Sequence, residues 1–335
     1  MNQTFLKRIF AYVLAFCCAF SLFVLVGCDD VTPDTDNKDD KKVDVCIFMG
    51  QSNMAGRGEA QDSVVVGEGR GYEFRAVSDP SKLYPVQEPF GATENNEALQ
   101  DVGQNGDGKK SGSMVSAFVE GYYEQTKTPL VCVSASVGAT SVMQWQPQGS
   151  PYADTNFAYF DETKRRLIAA IDYLTANEYK VNRVFMAWCQ GEKDANKYVN
   201  DGFEYFAAVQ LMVDGLADLG NNYGVSNCFV ITHSEYANNA INANKQTLAN
   251  DMIAYCGQTT NNCVLVSVKF RNVPLNMRDD PHFHQGIYNV AGYDAGVNTA
   301  KYFASGKYPE CKPFELGEDV TLADKFDISL AYTSN

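Results

Sequence analysis

The sequence predicts a three-layer, doubly wound α/β fold in which a five-stranded parallel sheet lies between two layers of helices. Short runs rich in β-branched and aromatic residues recur along the chain, and helical stretches separate them. Most of these runs are almost continuously apolar, which is typical of parallel strands covered on both faces. Right-handed crossovers would then produce the doubly wound arrangement. The predicted strands lie at residues 43–49, 130–137, 183–189, 228–232 and 263–270.

Helical periodicity predicts the elements that cover this sheet. A long insertion, residues 57–112, separates the first strand from the first full helix, and its interspersed aromatic residues indicate an ordered rim around a site. Residues 307–335 have no strong periodicity, so we expect irregular or edge-strand structure there. The predicted helices lie at residues 113–126, 161–177, 196–219, 240–255 and 287–303.

The N-terminal sequence predicts that the protein is exported and anchored by a lipid. Lys7 and Arg8 precede an apolar run over residues 9–26, and small residues then lead to Cys28, an ending typical of a bacterial lipoprotein signal. A simple secretory signal or an uncleaved transmembrane anchor is the alternative, since the run approaches the length of a membrane span. We expect removal of residues 1–27 and lipidation of Cys28. The protein would then be anchored to a bilayer in the cell envelope, on the outer membrane or cell surface, in a periplasmic or outward-facing position.

The rest of the chain divides into three segments. Residues 28–42 are highly charged and too poor in apolar residues to fold, so they form an acidic tether. Residues 43–306 are expected to form one large domain, and residues 307–335 a C-terminal extension.

Charge and cysteine content exclude several classes of function. With 27 Lys and Arg against 41 Asp and Glu, the net charge of −14 disfavours nucleic acid but leaves neutral sugars and peptides as partners. Seven cysteines follow Cys28, and this odd number argues against a disulfide framework. Cys256 and Cys263 flank a polar loop and are the best candidates for a single bridge. No C-x-x-C spacing indicates a zinc site.

Residues 46–58 carry an apolar strand into a small polar turn with Ser52 at its apex. Gly50 and Gly56 remove side chains that would block a substrate, so the turn is a place to expose a nucleophile. An ordinary strand-to-helix turn capped by a serine is the alternative. Ligands of doubly wound sheets bind beyond the carboxyl ends of the strands, where this turn is expected to lie.

A general base for Ser52 must come from one of three histidines, His233, His282 and His284. Asp279 lies three residues before His282 on a proline-containing turn, so its carboxylate can reach the imidazole Nδ1. A plain surface turn is one alternative. Metal binding by His282 and His284 is another, but no metal-ligand spacing supports it, so we expect no metal. His233 is expected to be a rim residue or a core histidine.

Two further segments follow predicted strands and offer hydrogen-bond donors. The N–H groups of Ser52 and Gly138, with the side-chain amide of Gln190, could form an oxyanion hole. Turn chemistry and helix capping would explain the same residues. Trp145 and Trp188 could stack on sugar rings or pack in the core.

Together these motifs resemble the SGNH-type carbohydrate esterases, and most closely the sialate O-acetylesterase and acetylxylan esterase group, carbohydrate esterase family 6. The resemblance spans residues 43 to about 305 and implies the flavodoxin-like SGNH hydrolase fold. It fits better than the α/β-hydrolases, whose nucleophile elbow reads G-x-S-x-G. The motifs are Gly-Gln-Ser-Asn-Met-Ala-Gly at 50–56, residues 138–145, Gln190-Gly191-Glu192 with Asp194-Ala195, and Asp279-x-x-His282-Phe283.

The resemblance implies a role for each matching residue. Ser52 would be the nucleophile, His282 the general base and Asp279 its orienting acid. Glu192 matches a family carboxylate that would replace or assist Asp279. The residues implied for oxyanion stabilisation or substrate binding are Gln51, Asn53, Gly138, Gln190 and Trp145.

The implied activity is removal of O-acetyl groups from glycans, acetylated xylan or O-acetyl sialic acid, through an acetyl-serine intermediate. No metal or cofactor is expected. A non-catalytic glycan-binding lipoprotein that keeps the fold is the alternative. Two departures from the family pattern bear on the site: Ala139 stands where a second glycine is frequent, and Cys189 where a histidine is common.

Overall fold

The computed structural model describes residues 41–101, 109–237, 240–273, 277–279 and 281–326. The predicted signal over residues 1–27 and the lipidation site Cys28 lie outside the described residues, as does the acidic tether except for its last two residues. Among the helices that are described, none combines the length and apolar character needed to cross a membrane.

The central sheet confirms the predicted α/β class and adds two strands to it. Seven strands form one sheet in the order β3-β2-β4-β1-β5-β6-β9, and every neighbouring pair is parallel except β2 with β3. The extra strands β2 and β3 come from the insertion and extend one edge. The described strands are, in chain order, β1 (Lys42–Gly50), β2 (Gly71–Phe74), β3 (Leu83–Pro85), β4 (Leu130–Ser136), β5 (Lys180–Cys189), β6 (Cys228–Ile231), β7 (Tyr236–Ala237), β8 (Ala240–Ile241), β9 (Cys263–Ser267), β10 (Met277–Asp279) and β11 (His282–Phe283).

Helices cover both faces of the sheet. Apolar residues of α2 and α7 pack with one face, and those of α3, α5 and α6 pack with the other. Alternate residues of each central strand enter the two clusters, which explains why the strands read as continuous apolar runs. The described α-helices are, in chain order, α1 (Ser52–Ala55), α2 (Val115–Thr126), α3 (Tyr159–Ala176), α4 (Ala195–Asp201), α5 (Tyr205–Leu216), α6 (Ala243–Cys256), α7 (Gln285–Ser305) and α8 (Leu316–Lys325).

Three helical segments differ from the prediction. The single helix predicted over residues 196–219 is split into α4 and α5, because Gly202 adopts a left-handed φ of 67° and ends α4. Helix α6 begins later than predicted, since β8 pairs with β7 and Asn242 then caps the helix by accepting the N–H of Lys245 at 3.1 Å. Within the tail, predicted to be irregular or an edge strand, Leu316–Lys325 forms α8, whereas residues 307–315 contain no helix or strand and residues 327–335 lie outside the described residues.

The turn after β1 packs closely on the end of β5. Gly50 has a φ of 137°, and a side chain there would place its Cβ 2.1 Å from the carbonyl oxygen of Cys189. The N–H of Gln51 donates to the same carbonyl at 3.0 Å. Only glycine fits at residue 50, and this close approach fixes where Ser52 leaves the sheet.

The predicted candidate bridge between Cys256 and Cys263 is wrong for this structure, in which both thiols are free and buried. Cys263 instead lies beside Cys228, its register partner across β6 and β9. Burial raises the pKa of the Cys228 and Cys256 thiols well above the ordinary value. These cysteines therefore act as small buried apolar residues.

A buried polar cluster attaches α8 to the domain. The Lys269 Nζ lies 3.0 Å from the Asp319 carboxylate, and Asp294 on α7 faces this pair. Burial raises the pKa of the Asp294 carboxyl from 3.8 to about 6, and the nearby Asp319 carboxylate adds to the effect. One Asp294 oxygen is buried with no hydrogen-bond partner among the described residues.

Asp294→Asn tests the stability effect of this buried carboxyl. The folded chain keeps the Asp294 proton up to about pH 6 while the unfolded chain loses it near pH 4, so wild-type stability falls as the pH rises through that interval. We expect the variant to gain about 2 kcal/mol relative to wild type between pH 4 and pH 7. Urea unfolding across this range measures the effect. A stability difference that does not change with pH would contradict it.

Candidate active site

Three side chains from the two ends of the domain form a hydrogen-bonded line at the carboxyl edge of the sheet. Ser52 Oγ lies 2.8 Å from His282 Nε2, and His282 Nδ1 bonds the Asp279 carboxylate. A carboxylate can only accept, so Nδ1 carries the proton and Nε2 faces Ser52 with its lone pair. The structure thus brings together the three residues that the sequence nominated as nucleophile, base and orienting acid. The Asp279 side chain is 54% exposed, whereas that of His282 is 18% exposed.

The His282 segment is fixed by an aromatic cluster behind it. Strands β10 and β11 form a short antiparallel pair that carries Asp279 and His282. The next residue, Phe283, is buried and stacks on Phe270 with ring centroids 4.7 Å apart. Tyr288 on α7 packs edge-on against Phe283 at 6.1 Å. His282 is therefore anchored to the core through its neighbour.

Glu59 braces the same segment from the loop that follows Ser52. Its Oε2 accepts the N–H of Gln285, the first residue of α7, at 2.8 Å. Its Oε1 lies 3.1 Å from His284 Nδ1. The Arg278 guanidinium links the same two segments a third time, because it donates to the carbonyls of Arg57 and Gly58. Sequence reasoning missed Glu59, since nothing local marks a glutamate 225 residues from its partner.

The two histidines that were weighed as metal ligands have different partners. His282 faces Ser52 and Asp279, and His284 faces Glu59. The described ranges contain no group of three or more His, Cys, Asp and Glu side chains that could hold a metal ion. His233 is fully buried, with Nδ1 donating to the Ser234 carbonyl at 3.0 Å. It is a core histidine.

Glu192 bonds the residue after the nucleophile. Its Oε1 accepts from Asn53 Nδ2 at 2.6 Å and from the Ser234 N–H at 3.0 Å. Asn53 is fully buried, and its Oδ1 accepts the Tyr288 hydroxyl at 2.7 Å. No hydrogen bond joins Glu192 to His282 among the described residues. In this geometry Glu192 and Asn53 hold the Ser52 turn.

Two of the three predicted oxyanion donors, the Gln190 amide and the Gly138 N–H, already donate hydrogen bonds to other groups. Gln190 is fully buried, and its Nε2 donates to the Thr140 carbonyl at 2.8 Å and to Asp194 at 2.7 Å. Both amide hydrogens are thereby used, so the structure contradicts an oxyanion role for Gln190. The same Nε2 lies 3.4 Å from the amide oxygen of Gln51, which is also buried. The N–H of Ser52 has no hydrogen-bond partner in the described part of the chain.

The Gly138 N–H bonds a buried ion pair that sequence reasoning missed. This N–H donates to Asp101 Oδ1 at 2.9 Å. The two carboxylate oxygens of Asp101 also accept from Arg57 Nη2, at 2.9 and 3.0 Å. The Asp101 side chain is fully buried. A Cβ on Gly138 would lie 2.7 Å from the Arg57 guanidinium and 3.5 Å from the Ser52 Cβ. The pair therefore fixes the Gly138 loop beside Ser52.

The two departures from the family pattern have structural counterparts. Ala139 adopts a left-handed φ of 59°, a conformation that favours glycine, so the loop beside Ser52 is strained by about 1 kcal/mol. Cys189 is buried, and burial raises the pKa of its thiol well above the ordinary value, so it remains a thiol.

The substrate-stacking role predicted for Trp145 is wrong as a direct contact. Trp145 is 0% exposed, and its ring packs edge-on against Trp188 at 6.0 Å in the core. Its indole N–H donates to Thr140 Oγ1 at 3.1 Å. Apolar and aromatic character alone could not separate stacking on a sugar from packing in the core.

Comparison with known proteins gives one family and several solved structures that align with this chain. A family model described as carbohydrate esterase, sialic acid-specific acetylesterase, matches residues 42–284. The structure of NanS aligns with a TM-score of 0.52 at 12% identity, over 80% of this chain and 99% of that chain. An Arabidopsis thaliana protein aligns with a TM-score of 0.49 at 16% identity, over 79% and 98% of the two chains. A carbohydrate acetylesterase from Xanthomonas citri aligns with a TM-score of 0.45 at 12% identity, over 79% of this chain and 57% of that chain. A search among curated proteins finds no match.

Glu59→Gln tests the brace on the histidine segment. The variant keeps an oxygen for the Gln285 N–H but loses the carboxylate that faces His284 and Arg278. We expect kcat for 4-nitrophenyl acetate to fall about tenfold with KM nearly unchanged, because a displaced base slows chemistry more than binding. Glu68→Gln, an exposed change in the same insertion, is the matched control. Equal kcat values for the two variants would refute the brace.

Proposed function

Because the chain belongs to the carbohydrate esterase family of sialic acid-specific acetylesterases, we propose that it removes O-acetyl groups from glycans through an acetyl-serine intermediate at Ser52. O-acetyl sialic acid is the first substrate to test, since the family description names that sugar. Acetylated xylan is the second, from the resemblance of the motifs to carbohydrate esterase family 6. The hydrogen bond between Ser52 Oγ and His282 Nε2 is the observation that carries the proposal.

The proposed first step is attack of Ser52 Oγ on the acetyl carbonyl carbon. His282 Nε2 takes the serine proton as the Oγ–carbon bond forms, and the Asp279 carboxylate stabilises the resulting imidazolium. His282 then gives this proton to the sugar oxygen as the ester bond breaks. In the second step a water attacks the acetyl carbon of the acetyl-serine and loses one proton to His282. His282 then gives this proton to Ser52 Oγ as the Oγ–carbon bond breaks, which releases acetic acid and restores the neutral serine and histidine. This mechanism uses no metal or cofactor.

The oxyanion of each tetrahedral intermediate needs donors beside Ser52. We assign the backbone N–H of Ser52 to this role, because it has no other partner among the described residues. The Gly138 N–H already donates to Asp101, so we propose that Gly138 positions the loop beside Ser52 and does not bind the oxyanion. This assignment replaces the predicted contribution of Gln190.

A non-catalytic glycan-binding lipoprotein is the competing function. Such a protein would need no base aligned on Ser52 and no carboxylate behind that base. The hydrogen bonds from Ser52 to His282 and from His282 to Asp279 favour an enzyme.

We also propose that the enzyme acts in the cell envelope. The support is the sequence alone: a lipoprotein-like signal over residues 1–27, Cys28 at its end, and a charged tether over residues 28–42. On this proposal, residues 43–306 form the esterase domain and residues 307–335 its C-terminal extension. Metabolic labelling of the full chain with a fatty-acid probe, with Cys28→Ser as the control, tests the anchor.

Ser52→Ala tests the proposed nucleophile. We expect wild type to release acetate from at least one acetylated sugar in a panel of O-acetyl sialic acids and acetylated xylans. The variant should lose activity by on the order of 10⁴-fold or more while its circular dichroism spectrum is unchanged. Ser305→Ala, an exposed serine on the last turn of α7, is the control. A folded wild type that is inert toward acetyl esters and acetylated glycans would favour the binding protein.

Asp279→Asn and Glu192→Gln separate the two candidate carboxylates. We expect Asp279→Asn to lower kcat by about 10²-fold or more, because the amide cannot stabilise the imidazolium. Glu192→Gln should lower kcat by only about tenfold, since its amide oxygen still accepts the Asn53 and Ser234 hydrogen bonds. Steady-state kinetics of the two purified variants decide the point. A larger loss in Glu192→Gln would make Glu192 the acid that serves His282.

A further inference from the structure

One aromatic ring is exposed at the carboxyl edge of the sheet. Phe157 is 39% exposed, and no other phenylalanine or tryptophan in the described ranges is as exposed. It precedes α3 by two residues. Helix α3 follows β4 and covers the sheet, so its first turn lies at the edge where parallel strands end and where Ser52 stands.

Local hydrogen bonds hold the Phe157 loop in place. The N–H of Phe157 donates to the Asp154 carbonyl at 3.2 Å, and the Asp154 N–H donates to the Met143 carbonyl at 2.9 Å. Met143 belongs to the short 3₁₀ helix Val142–Trp145, which follows the Gly138 loop. The exposed ring is therefore tied to the same segment that contacts Ser52.

Aromatic packing continues from Phe157 through Tyr159 to Trp145 in the core. The Phe157 ring lies 5.1 Å from that of Tyr159, and Tyr159 lies 5.1 Å from the buried Trp145. Trp145 donates to Thr140 Oγ1, two residues after Gly138. One side of the Phe157 ring thus packs on Tyr159, which itself packs on Trp145, and 39% of Phe157 stays exposed. A ring held in this way binds a flat apolar surface at little cost in side-chain entropy.

Tyr159 adds a polar group beside this ring. Its hydroxyl has no hydrogen-bond partner among the described residues. Burial raises the pKa of Tyr159, and the Asp101 carboxylate raises it further, so the phenol stays protonated and able to donate.

We propose that Phe157, backed by Tyr159, binds the sugar ring next to the acetylated sugar. The apolar C–H face of a pyranose fits an aromatic ring, and the Tyr159 hydroxyl can donate to a sugar oxygen. The enzyme therefore prefers acetyl groups on sugars within a chain over those on a free monosaccharide. This inference rests on the proposed function, because it needs an acetylated sugar at Ser52.

Phe157→Ala tests this subsite with three substrates: an O-acetylated sialyl-trisaccharide or acetylated xylotriose, the corresponding acetylated monosaccharide, and 4-nitrophenyl acetate. We expect KM for the oligosaccharide to rise about tenfold in the variant. The monosaccharide and 4-nitrophenyl acetate should be hydrolysed with wild-type kinetics. Phe157→Tyr should retain the wild-type KM for the oligosaccharide, and Leu316→Ala, an exposed apolar change on α8, is the matched control.

The outcomes separate this inference from the proposed function. If wild type hydrolyses the sugars but Phe157→Ala leaves KM for the oligosaccharide unchanged, the subsite is refuted and the esterase activity stands. An equal rise in KM for the monosaccharide also refutes it, because the ring would then contact the acetylated sugar itself. A wild type that hydrolyses no acetylated sugar overturns both proposals.

Discussion

The hydrogen bond between Ser52 and His282 joins side chains 230 residues apart, and the surrounding fold is organised to bring them together. Gly50 lets the Ser52 turn pack on the Cys189 carbonyl, so the serine leaves the sheet at a defined point. Glu59 and the stacked Phe283 hold the other end by fastening the start of α7. A shift of about 1 Å between these braces would lengthen the bond beyond its useful range.

The fold was predictable from sequence where one local pattern decided the structure. Five apolar runs became the five central parallel strands, because strands covered on both faces have no polar residues to interrupt them. The edge strands β2 and β3 were missed, since they are only four and three residues long and lack a continuous apolar run. The break between α4 and α5 was missed because a single glycine within a helical pattern is often tolerated. Helix α8 was missed because its attachment depends on Asp319, whose partner Lys269 lies 50 residues away along the chain.

The site was predictable only in part, for a related physical reason. Asp279 and His282 lie in one turn, and Ser52 lies in a motif of its own, so short-range patterns found them. The hydrogen bonds that occupy the Gln190 amide group go to Thr140 and Asp194. The sequence shows these two residues only as separate polar positions, so it could not reveal that this amide is already bonded. The sequence alone cannot tell whether a tryptophan packs in the core or lines a cleft. The burial of Trp145 in the structure shows that it packs in the core. Phe157 has no motif and became visible only through its exposure.

The ion pair of Arg57 with Asp101 has a consequence for how this sequence can diverge. Both side chains are almost fully buried, so replacing either one alone would leave an uncompensated charge beside the Gly138 loop. The two positions are 44 residues apart and share no local motif. They can be exchanged only together, so related chains should carry both charges or neither. Correlated substitution at these two positions would then mark lineages in which the loop beside the nucleophile has been rebuilt.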